Sequence, residues 1–388
     1  MRVAINHTQF SSVGGSERYI YFLVKNLLAD GHEVHYFCSR RREELDHERL
    51  QFYHVPMVRG VRYLKVLSFA RNSSRTIQKE GPFDVIHGFS KTYHQDVYTD
   101  GSGTQAVYRD YVFRNSSRFG KSLYRLSPYQ LAVDHCERKR FARGNFTKIL
   151  TMSRLVKDQV QTTYGLTDNE IDVLYNGIDC DEFSPAQTDA HRDAIRRSLN
   201  VDDNAIVVLF VGSDYERKNL RTLLRAASKL SSAPEFHFFI CGRDSHENRY
   251  RSLASGLGVT NRVHFLGLQK DIKKFFGAAD VLVLPTYYDV FGMVVLEAMA
   301  SGVPPIVSSK AGACEIIEPE VNGLILQAPE DADELANHLL ALRPTDKREA
   351  MGIHARQDAL AFSWQEHMRQ LYRVYEQVIA SKLKAVTA

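Results

Sequence analysis

A short apolar run, a turn of small and polar residues and a helical stretch follow one another repeatedly along this chain. Few architectures accept that order, because strands that are always separated by helices pair in parallel. The clearest unit is Asp280-Val-Leu-Val-Leu-Pro285, a buried strand, then a loop, then a helix from Val294 to Ser301, stopped by Gly302 with Pro304 just beyond. Ala205 to Val211 is a continuous apolar strand of the kind a parallel sheet buries on both faces, and a helix starts near Leu220. The chain opens in the same way. Arg2 to Asn6 reads as a strand, Ser12 to Ser16 as a loop holding Gly14 and Gly15, and Glu17 to Ala29 as a helix with Ser16 as N-cap and Gly31 past its end. Glu33 to Phe37 is the next strand, Val61 to Gln78 a basic helix, and Phe83–His87, Gln95–Thr99, Lys148–Met152 and Ile171–Leu174 further strands. In the second half Glu235–Cys241, Val263–Gly267, Val303–Ser308 and Gly323–Leu326 continue the pattern, with helices from His246 to Gly258 and from Asp331 onward. A length of 388 residues exceeds one core of ordinary size, so the expected fold class is α/β with two Rossmann-like domains facing a cleft.

Composition narrows the function. Hydrophobic residues make up 44% and charged residues 25%, as in a soluble globular protein, and a net charge of +4 defines no partner. Five cysteines without a C-x-x-C argue against a zinc site or a disulfide framework. No apolar run approaches the ~18 residues of a membrane-spanning helix. Arg2–Asn6 is a strand rather than the apolar core of a signal peptide, so the expected location is cytoplasmic, with any membrane contact peripheral. There is no G-x-G-x-x-G and no phosphate-loop lysine after Gly14-Gly15, which leaves a plain turn or a ligand loop there.

The loop and helix after Pro285 carry the strongest chemical signal. Asp289 and Glu297 bracket the backbone from Gly292 through Met293 and Val294 to Val295, where the first amides of a helix lack partners and the macrodipole is positive. Gly292 also lets a ligand approach the main chain. Carboxylates repel phosphate, so their natural partners are hydroxyls, and amides flanked by acids suit a nucleotide bearing a sugar.

The block Asp289-x-Phe-Gly-Met-Val-x-x-Glu297-Ala-Met-Ala-x-Gly-x-Pro resembles the donor site of retaining family 4 glycosyltransferases, where the first acid is usually Glu rather than Asp. Further motifs extend the resemblance over nearly the whole chain. Gly14-Gly15 matches a loop that faces the donor diphosphate. Val211-Gly-Ser213-Asp-Tyr-x-Arg217-Lys218 resembles the basic pair gripping the donor phosphates, in the form found in the lipopolysaccharide inner-core glucosyltransferase branch. Leu266 falls where family members meet the base through backbone groups, and Lys310 to Glu315 resembles the family's glycine loop. Asn176-Gly-Ile-Asp179 with Phe183-Ser-Pro185 is similar to the interdomain connection. The resemblance therefore implies the GT-B fold, with residues 1–178 on the acceptor side, 179–364 binding the donor and a last helix, about 365–388, crossing back to the first domain. Asp-Val-Tyr-Thr-Asp100 matches the branch's D-V-Y-x-x-D. Asp100 is then the acceptor-side acid near the reacting centre, or else a turn residue before Gly101, whereas His87 reads as a satisfied strand-end histidine.

From Arg109 to Lys148 there are ten Lys/Arg against three Asp/Glu, with Tyr108, Tyr111, Phe113, Phe119, Tyr124 and Tyr129 interleaved. Ser127-Pro128 opens a helix there and Gly144 closes it, with Arg138-Lys-Arg140 and Arg143 in its last part. Such a stretch is a solvated surface, an anionic membrane leaflet contact or a nucleic-acid contact. The resemblance favours the inner leaflet and no nucleic acid, because the best-matching branch acts on lipid-anchored acceptors.

The expectation is a retaining hexosyltransferase moving glucose from UDP-glucose to a lipid-linked saccharide such as lipopolysaccharide core, with no cofactor and, since no Asp-x-Asp lies among the donor-site segments, no metal. Arg217, Lys218 and the amides near Gly292 would stabilise the departing diphosphate, Glu297 the ribose and Asp289 a donor-sugar hydroxyl. The alternatives are a nucleotide-sugar epimerase of the same fold, a transferase with another donor or acceptor, a binding protein with a dead site and a nucleic-acid-binding protein.

Overall fold

The computed structural model describes residues 1–12, 14–114 and 124–387. The chain divides into two compact units, Met1–Asn176 with Trp364–Ala388, and Gly177–Ser363. Phe119, counted above among the aromatics of the basic stretch, lies outside the described residues.

Seven parallel strands form the sheet of the first unit, in the order Leu50–His54, Glu33–Cys38, Arg2–Asn6, Val85–Gly88, Val97–Asp100, Lys148–Thr151, Ile171–Val173. Six parallel strands form that of the second, in the order Val263–Gly267, Phe236–Cys241, Ile206–Val211, Val281–Leu284, Pro305–Ser308, Leu324–Leu326. Both are doubly wound. Succession runs outward from a first strand in one direction, then resumes on its other side, which opens a crevice at the carboxyl ends between Arg2–Asn6 and Val85–Gly88, and between Ile206–Val211 and Val281–Leu284.

Helices cover both faces, so the central strands are largely apolar, and Val281–Leu284 is buried at every position. In the second unit Val208, Phe210, Phe238 and Ile240 pack against Leu223, Leu224, Leu335 and Leu339 from flanking helices. The last helix, Trp364–Thr387, belongs to the first unit and sends Met368, Leu371, Tyr375 and Val378 into its core at helical spacing. Tyr375 Oη lies 2.7 Å from His87 Nδ1, and Thr99 Oγ1 lies 2.8 Å from His87 Nε2, so this fully buried histidine is a satisfied core residue.

Two local readings differ from the structure, and two elements had none. The first helix begins at Gly15 with Gly14 at the cap position, rather than at Ser16, because Gly14 takes a φ of 114° that a side chain disfavours. The helix Pro128–Arg140 ends on Phe141, before Gly144. Leu50–His54 is an edge strand whose alternating half-exposed residues give no apolar run. The short helix Arg192–Ser198 carries no apolar stripe because its inward group is charged. Arg196, fully buried, reaches Asp280 Oδ2 at 2.6 Å and the carbonyl of Ala205 at 2.9 Å.

Candidate active site

The second unit gathers its charged candidates at the switch point. Arg217 and Lys218 lie on the loop leaving Ile206–Val211, and Asp289 lies on the loop leaving Val281–Leu284. Main-chain bonds lace these loops together. Tyr287 N–H donates to Arg217 O at 2.9 Å, Asp289 N–H to Lys310 O at 3.2 Å, Gly312 N–H to Asp289 O at 3.0 Å and Ala313 N–H to Phe291 O at 2.8 Å. Asn219, in the left-handed conformation, caps the next helix and donates its Nδ2 to Pro285 O at 3.0 Å.

Within that frame the charges meet. Arg217 Nε donates to Asp214 Oδ2 at 3.1 Å, and its Nη1 to Tyr288 O at 2.9 Å and Asp289 Oδ2 at 3.4 Å. Lys218 Nζ donates to the same Asp289 Oδ2. Asp289 is 9% exposed and Lys218 8%. Burial alone would raise the Asp289 carboxyl, but Lys218 and then Arg217 outweigh it and hold it below the ordinary range. For Arg217, burial works against the charge, and Asp289 and Asp214 more than offset it. Arg217 and Lys218 thus converge on Asp289, with Asp214 as a second carboxylate on the outer side of Arg217.

Beside this cluster the helix Met293–Ala300 starts without a side-chain cap. Val295 N–H turns back to Gly292 O at 2.9 Å, and the amides of Met293 and Val294 have no acceptor among the described residues. Glu297, 5% exposed, stands one turn further along the same helix. Gly292 adopts a φ of 100°, and a Cβ on it would lie 2.8 Å from Leu284 Cδ2 at the end of the neighbouring strand. Gly292→Ala should therefore cost roughly 1–3 kcal/mol of stability in urea denaturation. An unchanged midpoint would mean that the strand end yields without cost. Ser213 is exposed on the cation loop, and Leu266 sits at the carboxyl end of the edge strand, its carbonyl accepting from Gln269 Nε2 at 2.5 Å.

Gly14, Gly15 and Asp100 belong to the first unit, Gly14 and Gly15 after its first strand and Asp100 at the end of Val97–Asp100. Asp100 is wholly buried. Its Oδ1 accepts from Ser102 N–H at 3.3 Å and its Oδ2 has no hydrogen-bond partner among the described residues. Burial raises its pKa, against the opposing Arg140 charge.

That arginine corrects part of the surface reading of the basic stretch. Arg140 is 3% exposed, donates to Ser90 O at 3.1 Å, lies 3.5 Å from Glu137 and covers the Tyr98 ring at 4.1 Å. Glu137 in turn accepts from Gln105 N–H at 2.9 Å, fixing the start of the helix Gln105–Arg114. The i, i+3 spacing of Glu137 and Arg140 was the available signal. Nothing in the sequence marked Tyr288, which acts through its carbonyl. Among the described residues no three His, Cys, Asp or Glu side chains converge as a metal-ligand group, and no helix is long and apolar enough to cross a membrane.

Comparison with known proteins joins these observations. Residues 13–182 match the family described as Glycosyltransferase Family 4, and residues 191–358 match Glycosyl transferases group 1. The chain belongs to the glycosyltransferases that combine these two domains. This glycosyltransferase is 28% identical to an uncharacterised glycosyltransferase of Methanocaldococcus jannaschii over 94% of both chains. It is 28% identical to the lipopolysaccharide glucosyltransferase WaaG of Escherichia coli, over 72% of this chain and 73% of WaaG. It is 32% identical to a D-inositol 3-phosphate glycosyltransferase of Corynebacterium kroppenstedtii, over 61% of this chain and about half (54%) of that protein's length. The solved structure of WaaG superposes with a TM-score of 0.79 at 23% identity, covering 97% of this chain and 98% of WaaG. That of Anabaena HepE in complex with UDP-glucose gives 0.70 at 18%, covering 99% and 100%. The fold is GT-B.

Proposed function

We propose that this glycosyltransferase is a retaining hexosyltransferase that moves glucose from UDP-glucose to a hydroxyl of a lipid-linked saccharide, such as lipopolysaccharide core, without a metal ion. The observation that carries the reading is the meeting of Arg217 and Lys218 on one carboxylate beside the uncapped amides of Met293 and Val294. When the bond between sugar and diphosphate breaks, negative charge grows on the leaving oxygen, and cations and amide dipoles fixed in advance stabilise that charge. Glu297, close by on the same helix, is assigned to the ribose. Asp289 orients the cations through Oδ2 and is assigned a donor-sugar hydroxyl as well. Gly14 and Gly15 are assigned to the donor diphosphate, Ser213 to the donor phosphates and the Leu266 backbone to the base. Asp100 is assigned to the acceptor hydroxyl, its burial-raised pKa suiting a group that exchanges a proton. With no second carboxylate assigned as a nucleophile among the described residues, we favour displacement on one face of the sugar.

The likeness to WaaG supports glucose and the lipopolysaccharide acceptor, and the HepE complex supports UDP-glucose as donor. Exposed Leu126 and Leu131 beside Arg125 and Arg138 support a peripheral contact with an anionic inner leaflet. The D-inositol 3-phosphate relative favours a second reading, a soluble phosphorylated cyclitol as acceptor.

The test is turnover of UDP-glucose by the full chain, in chelator, with truncated lipopolysaccharide or inositol 3-phosphate as acceptor and the product's anomeric configuration read by NMR. Transfer with retention to the lipopolysaccharide is expected. Sugar release or isomerisation without acceptor, or activity abolished by chelation, would overturn the corresponding part.

A further inference from the structure

A recess of about 640 Å³ opens on the first unit, walled by the helices Arg62–Glu80 and Pro128–Arg140 and by the segment between Val85–Gly88 and Val97–Asp100. It lies toward the amino ends of the strands, because its lining residues Gln78 and Asn145 precede Val85–Gly88 and Lys148–Thr151. Gly14 and Asp100 stand at the carboxyl ends of the same sheet, so the recess is separate from them.

Its charge is one-sided. Arg71 and Arg75 stand one turn apart on the same helix face, Lys139 reaches in from the second helix, and His94 completes the wall, with no carboxylate among the lining residues. Arg71, Arg75 and Lys139 form no ion pair with any described residue. Lys139 is held in place: its Nζ lies 4.4 Å from the centroid of Tyr93, and its carbonyl accepts from Asn145 Nδ2 at 2.7 Å. Three gathered cations repel one another, and an anion placed among them relieves that repulsion. Two arginine forks and an ammonium match the oxygens of a phosphate. The volume falls within the ~300–1,000 Å³ of small-molecule sites and exceeds what a bare oxyanion fills.

We propose that this recess binds a phosphate monoester, its phosphate held between Arg71, Arg75 and Lys139 and its carrier resting against Tyr93. The carrier is a soluble sugar or a lipid headgroup, and the phosphate chemistry is the same for both. The assignment is independent of the donor site and of the acceptor proposed above.

The full chain is titrated calorimetrically with glucose 6-phosphate, glucose and inorganic phosphate. In parallel it is floated with phosphatidylcholine vesicles that contain or lack phosphatidic acid. Expected is binding of glucose 6-phosphate or of the phosphatidic acid vesicles, none of glucose or neutral vesicles, and weakening as salt rises. Arg71→Gln with Arg75→Gln, and separately Lys139→Gln, should each weaken that binding by about tenfold or more. Their urea midpoints and the thermal shift caused by UDP should match the parent's. Binding of the soluble probe alone identifies a sugar carrier, and binding of the vesicles alone, weakened in both variants, a lipid one. If neither binds, or if both variants bind as the parent does, the site does not exist.

Discussion

Arg217→Gln combined with Lys218→Gln is expected to lower kcat on the order of 10³-fold or more, with a much smaller change in donor KM. Removing one preorganised partner of a developing oxyanion costs about 10²–10³ in rate, and both groups here address the same charge. Ground-state binding suffers less, because the uncapped amides of Met293 and Val294 still face the diphosphate in this reading. Arg217→Lys separates charge from geometry. It retains the cation but loses the fork that spans Asp214, Tyr288 and Asp289, so an intermediate loss is expected. Single-turnover kinetics with folding checked by circular dichroism is the measurement, and a double variant with parental turnover would end the proposal.

Asp289→Asn should damage the second unit twice over. Its carboxylate is the charge partner of Lys218, and both residues are buried. Removing one member of a buried pair costs roughly 3–5 kcal/mol, because the remaining charge keeps its desolvation penalty. The pH dependence follows from the direction of the shift. Asp289 is held below its ordinary 3.8 in the folded chain, so its contribution is complete above that value and is lost as pH falls through the lower folded one. The parent should therefore lose stability on the acid side below about pH 4, and Asp289→Asn should lack that component. Urea denaturation from neutral to strongly acidic pH reads both effects. A variant as stable as the parent at neutral pH would show that Lys218 finds another partner.

The two sheets were legible because nearly all their strands are buried on both faces, so Ile206–Val211 and Val281–Leu284 stand out as unbroken apolar runs. Leu50–His54 lies at an edge and was silent, and Arg192–Ser198 was silent because Arg196 fills a core position with a charge satisfied by Asp280. At the candidate site, residue types could be read but not their mutual arrangement. Lys218 and Asp289 are 71 positions apart, and only the strand order brings their loops together. The local pattern led to Asp289 as a hydroxyl ligand, and its shared Oδ2 adds the task of holding two cations. Charge patterning also misjudged Arg140, since a basic run seen in one dimension does not say which member turns inward.

Main-chain bonds run among the three loops at the second unit's crevice, from Arg217 O to Tyr287 N–H and from Asp289 to Lys310 and Gly312. Those peptide ties do not depend on which side chains the loops expose to solvent. Exposed positions such as Ser213 can therefore change in descent without disturbing those ties, and in the proposed function selectivity for one sugar over another can drift while the charge cluster persists.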